Sequence, residues 1–185
     1  MKKTFLFIIL ITFPILCLAQ GKSKAGKYVE LYNIPFYAMT FDNGRAFSNG
    51  VMQIRVDIED GYNAIYLRFF DKSGEYIDHE FFLDEYPPTV FNYSTDENVN
   101  TTGGGTATIS NLYELRWGDQ RYLFYLMKFP SGRMEYKVER LYVENGRQIR
   151  KDNSFTCTLD KSCLLNIGRV FREANRRNAI RLKIK

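Results

Sequence analysis

The sequence predicts an all-β protein: a single antiparallel barrel or sandwich of hairpin-connected strands, followed by one C-terminal amphipathic helix and a final strand. Three observations predict this class. The 185-residue chain contains 15 Phe and 13 Tyr, aromatic side chains that favour strands. Short turn sequences ending in glycine separate its apolar runs, which is typical of antiparallel neighbours. Within several runs, apolar and polar residues alternate with the period of two expected of a half-buried strand.

The N-terminus resembles a cleavable secretory signal. Lys2 and Lys3 precede a nearly unbroken apolar stretch over residues 5–16, and small residues follow up to Ala19. We therefore expect residues 1–19 to be removed. The short lysine segment is typical of bacterial signals and predicts a periplasmic, cell-envelope or secreted location. A buried N-terminal helix or a short membrane anchor is the alternative.

The remaining chain has the length of one domain. Residues 20–27 are small and polar and predict a flexible leader. Residues 28–185 then form a single β-rich domain. Without the signal peptide, 24 basic residues face 21 acidic ones, a net charge of +3 that argues against a nucleic-acid binder. The mature chain has no second long apolar run, so we do not expect an integral membrane protein.

Turn signals divide this domain into candidate strands. They lie at residues 42–44, 48–50, 59–61, 71–74, 130–132 and 144–146. Their Asn, Asp and Gly residues tolerate the positive φ angles of tight hairpin turns. Several short connections in succession indicate antiparallel neighbours rather than crossovers.

The apolar patterns indicate how individual strands are buried. Residues 51–58 alternate as a half-buried strand, whereas residues 122–129 are apolar on both faces and predict a central or doubly covered strand. Residues 133–138 alternate cleanly. The alternation breaks around Arg140 and Leu141, which we interpret as a β-bulge.

Residues 84–108 predict one long irregular loop. The stretch contains two successive prolines, a polar run and three successive glycines. A loop of this length is either functional or a mobile surface segment. The glycines do not predict a phosphate cradle, because no Lys followed by Ser or Thr comes after them.

The C-terminal segment predicts a helix over residues 162–176 and a last strand over residues 179–185. Asp160 or Ser162 is the candidate N-cap of the helix. One face of the helix is apolar and comprises Leu164, Ile167, Val170, Phe171 and Ala174. The order of hairpins, helix and short strand is similar to that of lipocalin-like barrels, although the N-terminal Gly-x-Trp motif is absent.

Two cysteines remain after signal removal, Cys157 and Cys163. Export favours a disulfide between them, which would stabilise the fold by about 2 kcal/mol through closure of a short loop. Two reduced, half-buried thiols are the alternative. A zinc site is not expected, because it needs four N or S ligands and His79 is the only histidine. We expect no metal and no cofactor.

Residues for catalysis are scarce, and no catalytic residue is assigned. His79 lies in a predicted strand between Asp78 and Glu80, whose side chains project to the other face, so it is interpreted as a strand histidine. The acidic groups within residues 57–60 and 78–85 are interpreted as solvated turns. A carboxylate-dependent glycan hydrolase is the least favoured function.

Two features are candidates for binding. Aromatic side chains that would line a groove, unless they pack in the core, are Tyr62, Tyr66, Trp117 and Tyr122. A basic patch that would meet an acidic partner, unless it is simply solvated, comprises Arg169, Arg172, Arg176 and Arg181. These features predict an exported, non-catalytic binding domain for an unknown protein or glycan. The alternative is a lipocalin-like carrier of a small apolar ligand.

Overall fold

The structure is a computed structural model that describes residues 21–22, 28–59, 62–78, 88–93, 96–101, 105–161 and 163–185. The signal peptide over residues 1–19 lies outside these ranges, so its cleavage and the location of the protein stay predictions. His79 also lies outside them, and its interpretation as a strand histidine is likewise untested.

The described residues form thirteen strands and one helix. The strands are β1 Gly21–Lys22, β2 Tyr28–Phe41, β3 Ala46–Glu59, β4 Tyr62–Asp71, β5 Tyr76–Asp78, β6 Thr89–Tyr93, β7 Glu97–Asn100, β8 Thr106–Trp117, β9 Gln120–Lys128, β10 Met134–Glu144, β11 Arg147–Ile149, β12 Phe155–Leu159 and β13 Arg181–Ile184. The helix α1, Cys163–Arg176, lies between β12 and β13. The predicted β-rich class with one C-terminal helix is confirmed.

All of these strands belong to one sheet. Its order is β13-β6-β8-β9-β10-β12-β2-β3-β4-β5, and β1, β7 and β11 pair with β2, β8 and β10. The sheet curls into half of a barrel, so that Asp78 of β5 reaches Arg140 of β10 although four strands separate them in this order. All strand pairs are antiparallel except that of β6 with β13, which is parallel. Helix α1 connects β12 to β13 and so makes the crossover that precedes this pair.

The helix packs on the concave side of the sheet, which we call the inner face. Ile167, Val170 and Phe171 are fully buried there. The Phe171 ring centroid lies 5.6 Å from those of Tyr113 and Phe124, which come from β8 and β9. The amphipathic pattern therefore predicted the buried face of the helix correctly, because burial of these side chains on folding favours the packed state.

Four of the predicted turns connect strands as expected. Residues 42–44, 71–74, 130–132 and 144–146 join β2 to β3, β4 to β5, β9 to β10 and β10 to β11. In the last turn, Asn145 and Gly146 both have positive φ angles, of 51° and 75°, as a two-residue hairpin requires. The turn predicted at 59–61 includes residues outside the described ranges.

The turn predicted at residues 48–50 is wrong, because these residues continue β3. Asn49 does have a positive φ of 61°, but Gly50 pairs with both Phe36 and Asp71. A Cβ atom on Gly50 would overlap the Phe36 ring and the carbonyl oxygen of Phe70. Glycine is therefore required here by a ring that covers the strand and not by a chain reversal.

Two further predictions about the strands need correction. The stretch 84–108 is not one irregular loop, since it contains β6, β7 and the start of β8. The predicted bulge in β10 is also absent, because β10 keeps one register with β9 from Met134 to Tyr142. The alternation breaks because the side chain of Arg140 points into the core, where an apolar residue was expected.

The two ends of the domain differ from their predictions. Gly21 and Lys22, part of the predicted leader over residues 20–27, pair with β2. The final strand is shorter than the predicted 179–185 and pairs with β6 along its whole length.

The predicted disulfide is wrong, because no disulfide joins Cys157 and Cys163. Both belong to the main core, Cys157 on β12 and Cys163 at the start of α1, and both are fully buried. Burial raises the pKa of the Cys157 thiol, and the neighbouring Cys163 raises it further. Such thiols behave as small apolar groups. Sequence spacing does not reveal the α-carbon geometry that a disulfide requires.

Candidate functional site

The predicted aromatic residues do not share one surface. Tyr122 is buried on the inner face, and Trp117 packs at the margin of the same core. Tyr66 lies on the opposite, outer face, where the Arg68 guanidinium is 5.0 Å from its ring centroid. Tyr62 begins β4, and its side chain is outside the described part of the structure. Tyr66 and Tyr122 therefore cannot line a common groove.

The predicted basic patch is also divided. Arg169 and Arg172 are exposed on α1, and Arg169 lies 5.2 Å from the Tyr32 ring centroid. Arg176 instead pairs with Glu173 at 2.6 Å, which lowers the local positive charge. Arg181 lies on β13, where it alternates with the inward-packed Leu182 and so projects to the outer face.

The outer face carries a concave site that the sequence reasoning missed. We call it the outer-face groove, with a volume of about 450 Å³. It lies over β7, β8, β9 and β10. The residues that matter to its chemistry are Val99, Ile109, Tyr125, Met127, Phe129, Arg133, Glu135, Lys137 and Glu139.

Apolar side chains form the floor of the outer-face groove, whereas polar side chains supply most of its exposed lining. Tyr125 and Met127 are buried on this side of β9, and Val99, Ile109 and Phe129 pack around them. This second cluster exists because β9 is apolar on both faces, as its sequence predicted. One face of β9 completes the main core, and the other provides a platform at the surface.

The wall of the outer-face groove is a row of charged side chains on β10. Glu135, Lys137 and Glu139 point outward at every second position. The Lys137 ammonium lies 3.1 Å from Glu135, and Arg133 lies 3.4 Å from the same carboxylate. These ion pairs hold hydrogen-bond donors and acceptors in place beside the apolar floor of the groove.

Tyr125 joins the floor to the wall. Its hydroxyl donates a hydrogen bond of 2.7 Å to Glu139, which also accepts one from Thr156 at 3.3 Å. Burial raises the pKa of Tyr125, and the negative charge of Glu139 raises it further, so the phenol stays protonated. The Arg133 guanidinium lies 4.1 Å from the Phe129 ring centroid, a cation–π contact. The groove can therefore pack an apolar surface and hydrogen-bond its polar edge at the same time.

A buried ion pair was also missed by the sequence reasoning. Arg140 on β10 binds Asp78 on β5 through two hydrogen bonds of 2.7 and 3.0 Å, and its guanidinium lies 4.9 Å from the Phe155 ring centroid. The pair joins two distant strands across the inside of the curl. Both oxygens of the Asp78 carboxylate accept hydrogen bonds from the Arg140 guanidinium, so we assign this ion pair a structural role.

Neither a metal site nor a membrane-spanning helix is evident in the described ranges. No group of three or more His, Cys, Asp or Glu side chains there is arranged to hold a metal ion. Nor does the described part of the chain contain a helix of the length and apolarity needed to cross a bilayer.

No family model, curated protein or solved structure matches this chain. The geometry of the outer-face groove is therefore the basis for interpreting its function.

Proposed function

We propose that the protein is an exported, non-catalytic binding domain of the bacterial cell envelope or secreted fraction, and that its outer-face groove binds a glycan. The observation that carries this proposal is an apolar platform of Ile109 and Met127 beside a row of fixed charged side chains on β10. The predicted signal peptide supports the exported location.

A glycan fits the outer-face groove better than a protein partner does. Sugar rings present apolar C–H faces and hydroxyl edges, which match an apolar floor beside hydrogen-bonding side chains. The volume of about 450 Å³ lies within the range of small-ligand sites, about 300–1,000 Å³. Protein interfaces instead bury about 800 Å² on each partner and are depleted of Lys and Glu at their centres.

The carrier alternative receives less support. A small apolar ligand inside the curl would occupy the space in which Phe124, Phe155 and Phe171 pack, all of them fully buried. The side chains of α1 fill the concave side in the same way.

A carboxylate hydrolase also receives less support. Glu135 and Glu139 lie four residues apart on one strand, about 13 Å along the backbone, whereas paired catalytic carboxyls lie about 5–10 Å apart. Both carboxylates are engaged, Glu135 by Lys137 and Arg133, and Glu139 by Tyr125 and Thr156.

The proposal is tested by titrating the mature protein, residues 20–185, with a library of neutral and acidic oligosaccharides. Replacement of Glu135 and Lys137 together by Ala removes both ion pairs of Glu135 from the groove, those with Lys137 and Arg133, without changing the net charge. We expect this double variant to lose at least tenfold in affinity for any oligosaccharide that binds.

The control variant replaces Glu173 and Arg176 of α1 by Ala, which likewise removes two ion pairs of one carboxylate, those with Arg176 and Arg177, without changing the net charge and far from the groove. We expect its affinity to stay within twofold of the native value. Failure of every oligosaccharide to bind, or equal losses in the two variants, would contradict the proposal.

A further inference from the structure

Three cations converge on one aromatic ring at the edge of the outer face. The Phe91 ring centroid lies 4.2 Å from the Arg116 guanidinium, 4.9 Å from the Lys185 ammonium and 5.7 Å from the Lys183 ammonium. Tyr93 stacks beside Phe91 with a centroid separation of 6.0 Å. We call Phe91, Arg116, Lys183 and Lys185 the cationic cluster.

The strand register places the cationic cluster on the same face as the outer-face groove. Lys183 pairs with Phe91 across β13 and β6, and Phe91 pairs with Glu114 across β6 and β8. The next outward residue of β6, Tyr93, pairs with Leu112, which packs on the apolar cluster beneath the groove. The two sites are thus neighbours along one continuous surface.

The carboxylate of Glu114 lies within this region, and it is already engaged. It accepts hydrogen bonds of 2.6 and 2.8 Å from Arg116 and one of 2.9 Å from Tyr93, and Arg121 lies 3.7 Å away. Two arginines therefore share a single negative charge. The same contacts hold the Arg116 guanidinium in one orientation.

The lysines of the cationic cluster add positive charge without neutralisation. Neither Lys183 nor Lys185 forms an ion pair with a carboxylate of the described residues, and Arg181 on the same side of β13 forms none either. The ring face of Phe91 attracts each cation but does not cancel its charge. The cations repel one another, and a bound anion would relieve that repulsion.

We propose that the cationic cluster binds the carboxylate groups of an acidic polysaccharide whose neighbouring sugar occupies the outer-face groove. This inference rests on the proposed glycan-binding function and specifies the class of glycan. Arginine suits a planar carboxylate, and lysine supplies a compact charge beside it. From Leu123 of β9 to Phe129, the residue that follows β9, the shared surface extends about 20 Å, enough for several linked sugars.

The probe is a polygalacturonate oligomer, compared with its methyl ester, which has the same backbone without the charge. Binding to the mature protein is measured by calorimetry at low and at physiological salt. We expect the acid form to bind at least tenfold more tightly than the ester, and this preference to shrink as salt screens the charges.

Two double variants distinguish the effect of the cationic cluster on binding from the effect of the net charge. Replacing Lys183 and Lys185 by Glu is expected to abolish the preference for the acid form. Replacing the exposed Lys72 and Lys161 by Glu changes the net charge equally at turns away from the cluster, and is expected to leave the affinity within twofold. Circular dichroism verifies that both variants fold.

Three results would overturn the inference: equal affinity for the two oligomers, equal losses in the two double variants, or tighter binding to phosphatidylglycerol vesicles than to the oligomer. If the ester binds as tightly as the acid form and the Glu135/Lys137 variant abolishes the binding of both, the proposed function stands while this inference fails. Loss of acid binding on replacement of Lys183 and Lys185, with no effect of the groove variant, supports the cluster and contradicts the groove.

Discussion

Arg140 and Asp78 form an ion pair inside the curled sheet, with side chains only 3% and 5% exposed. Removing one member of such a pair leaves the other charge buried without a partner. We therefore expect Asp78→Asn to lower the free energy of unfolding by about 3–5 kcal/mol, measured by urea denaturation.

The matched control is Asp42→Asn. Asp42 binds Arg150 with the same two-bonded geometry, but at the surface. Its replacement is expected to cost about 1 kcal/mol or less, because water stabilises both partners. Similar losses in the two variants would show that the inner pair is not desolvated.

The two thiols give a second prediction at the residue scale. Cys157 and Cys163 are buried in the main core and are not joined by a disulfide. Native mature protein, which lacks Cys17 of the predicted signal peptide, should therefore resist a thiol reagent, whereas denatured mature protein without reductant should take up two labels. Intact mass spectrometry checks this. A mass lower by two hydrogens, with no labelling, would show that the cysteines are bonded after all.

At the scale of elements, the last turn of α1 carries a cluster of opposite charges. Arg176 and Arg177 both donate hydrogen bonds of 2.6 Å to Glu173. These bonds, that from Arg176 foremost, lower the pKa of Glu173 to about 2 from its ordinary value of 4.5. A lowered carboxylate pKa stabilises the fold above pH 4.5, and this contribution is lost as the pH falls towards 2.

Glu173→Gln is therefore expected to lower stability at pH 7, by less than about 1 kcal/mol because the site is near the surface. The difference from the native protein should shrink as the pH falls below 4.5. NMR titration of the Glu173 carboxyl measures the pKa directly. A midpoint at the ordinary value would contradict the arrangement at this helix end.

Some elements were predictable because their patterns are local. The buried face of α1 follows from helical spacing, and the central position of β9, apolar on both faces, follows from apolar residues at successive positions. The Asn-Gly pair at residues 49–50 correctly indicated a positive φ for Asn49. It did not indicate the setting of this residue within a strand. That setting depends on Phe36, a residue of another strand, whose ring lies over Gly50.

Other elements depend on partners that a sequence pattern does not reveal. Strands β6 and β7 are short and carry several polar residues, and they are ordered by pairing with β8 and β13. Arg140 interrupts its strand pattern because Asp78, 62 positions earlier, meets it inside the curl. The outer-face groove was missed for the same reason, since it combines side chains of four strands.

At the scale of the whole molecule, one helix fills the concave side of one curled sheet. Phe171 lies at the centre of this packing, in contact with rings from β8 and β9. Phe171→Ala should remove about 3–5 kcal/mol of stability and leave an apolar cavity in the interior. A dry apolar cavity of that kind binds benzene.

This cavity offers a direct test between surface binding and interior carriage of a ligand. We expect benzene to shift the NMR signals of Tyr113 and Phe124 in the Phe171→Ala variant but not in the native protein, because the native ring already occupies the space. Phe129→Ala is the control: it removes a ring from the outer face and should leave the interior signals unchanged. Equal benzene binding by native and Phe171→Ala protein would reveal an interior site that exists without the mutation. In that case a carrier of small apolar ligands would replace the glycan-binding surface as the better account of this fold.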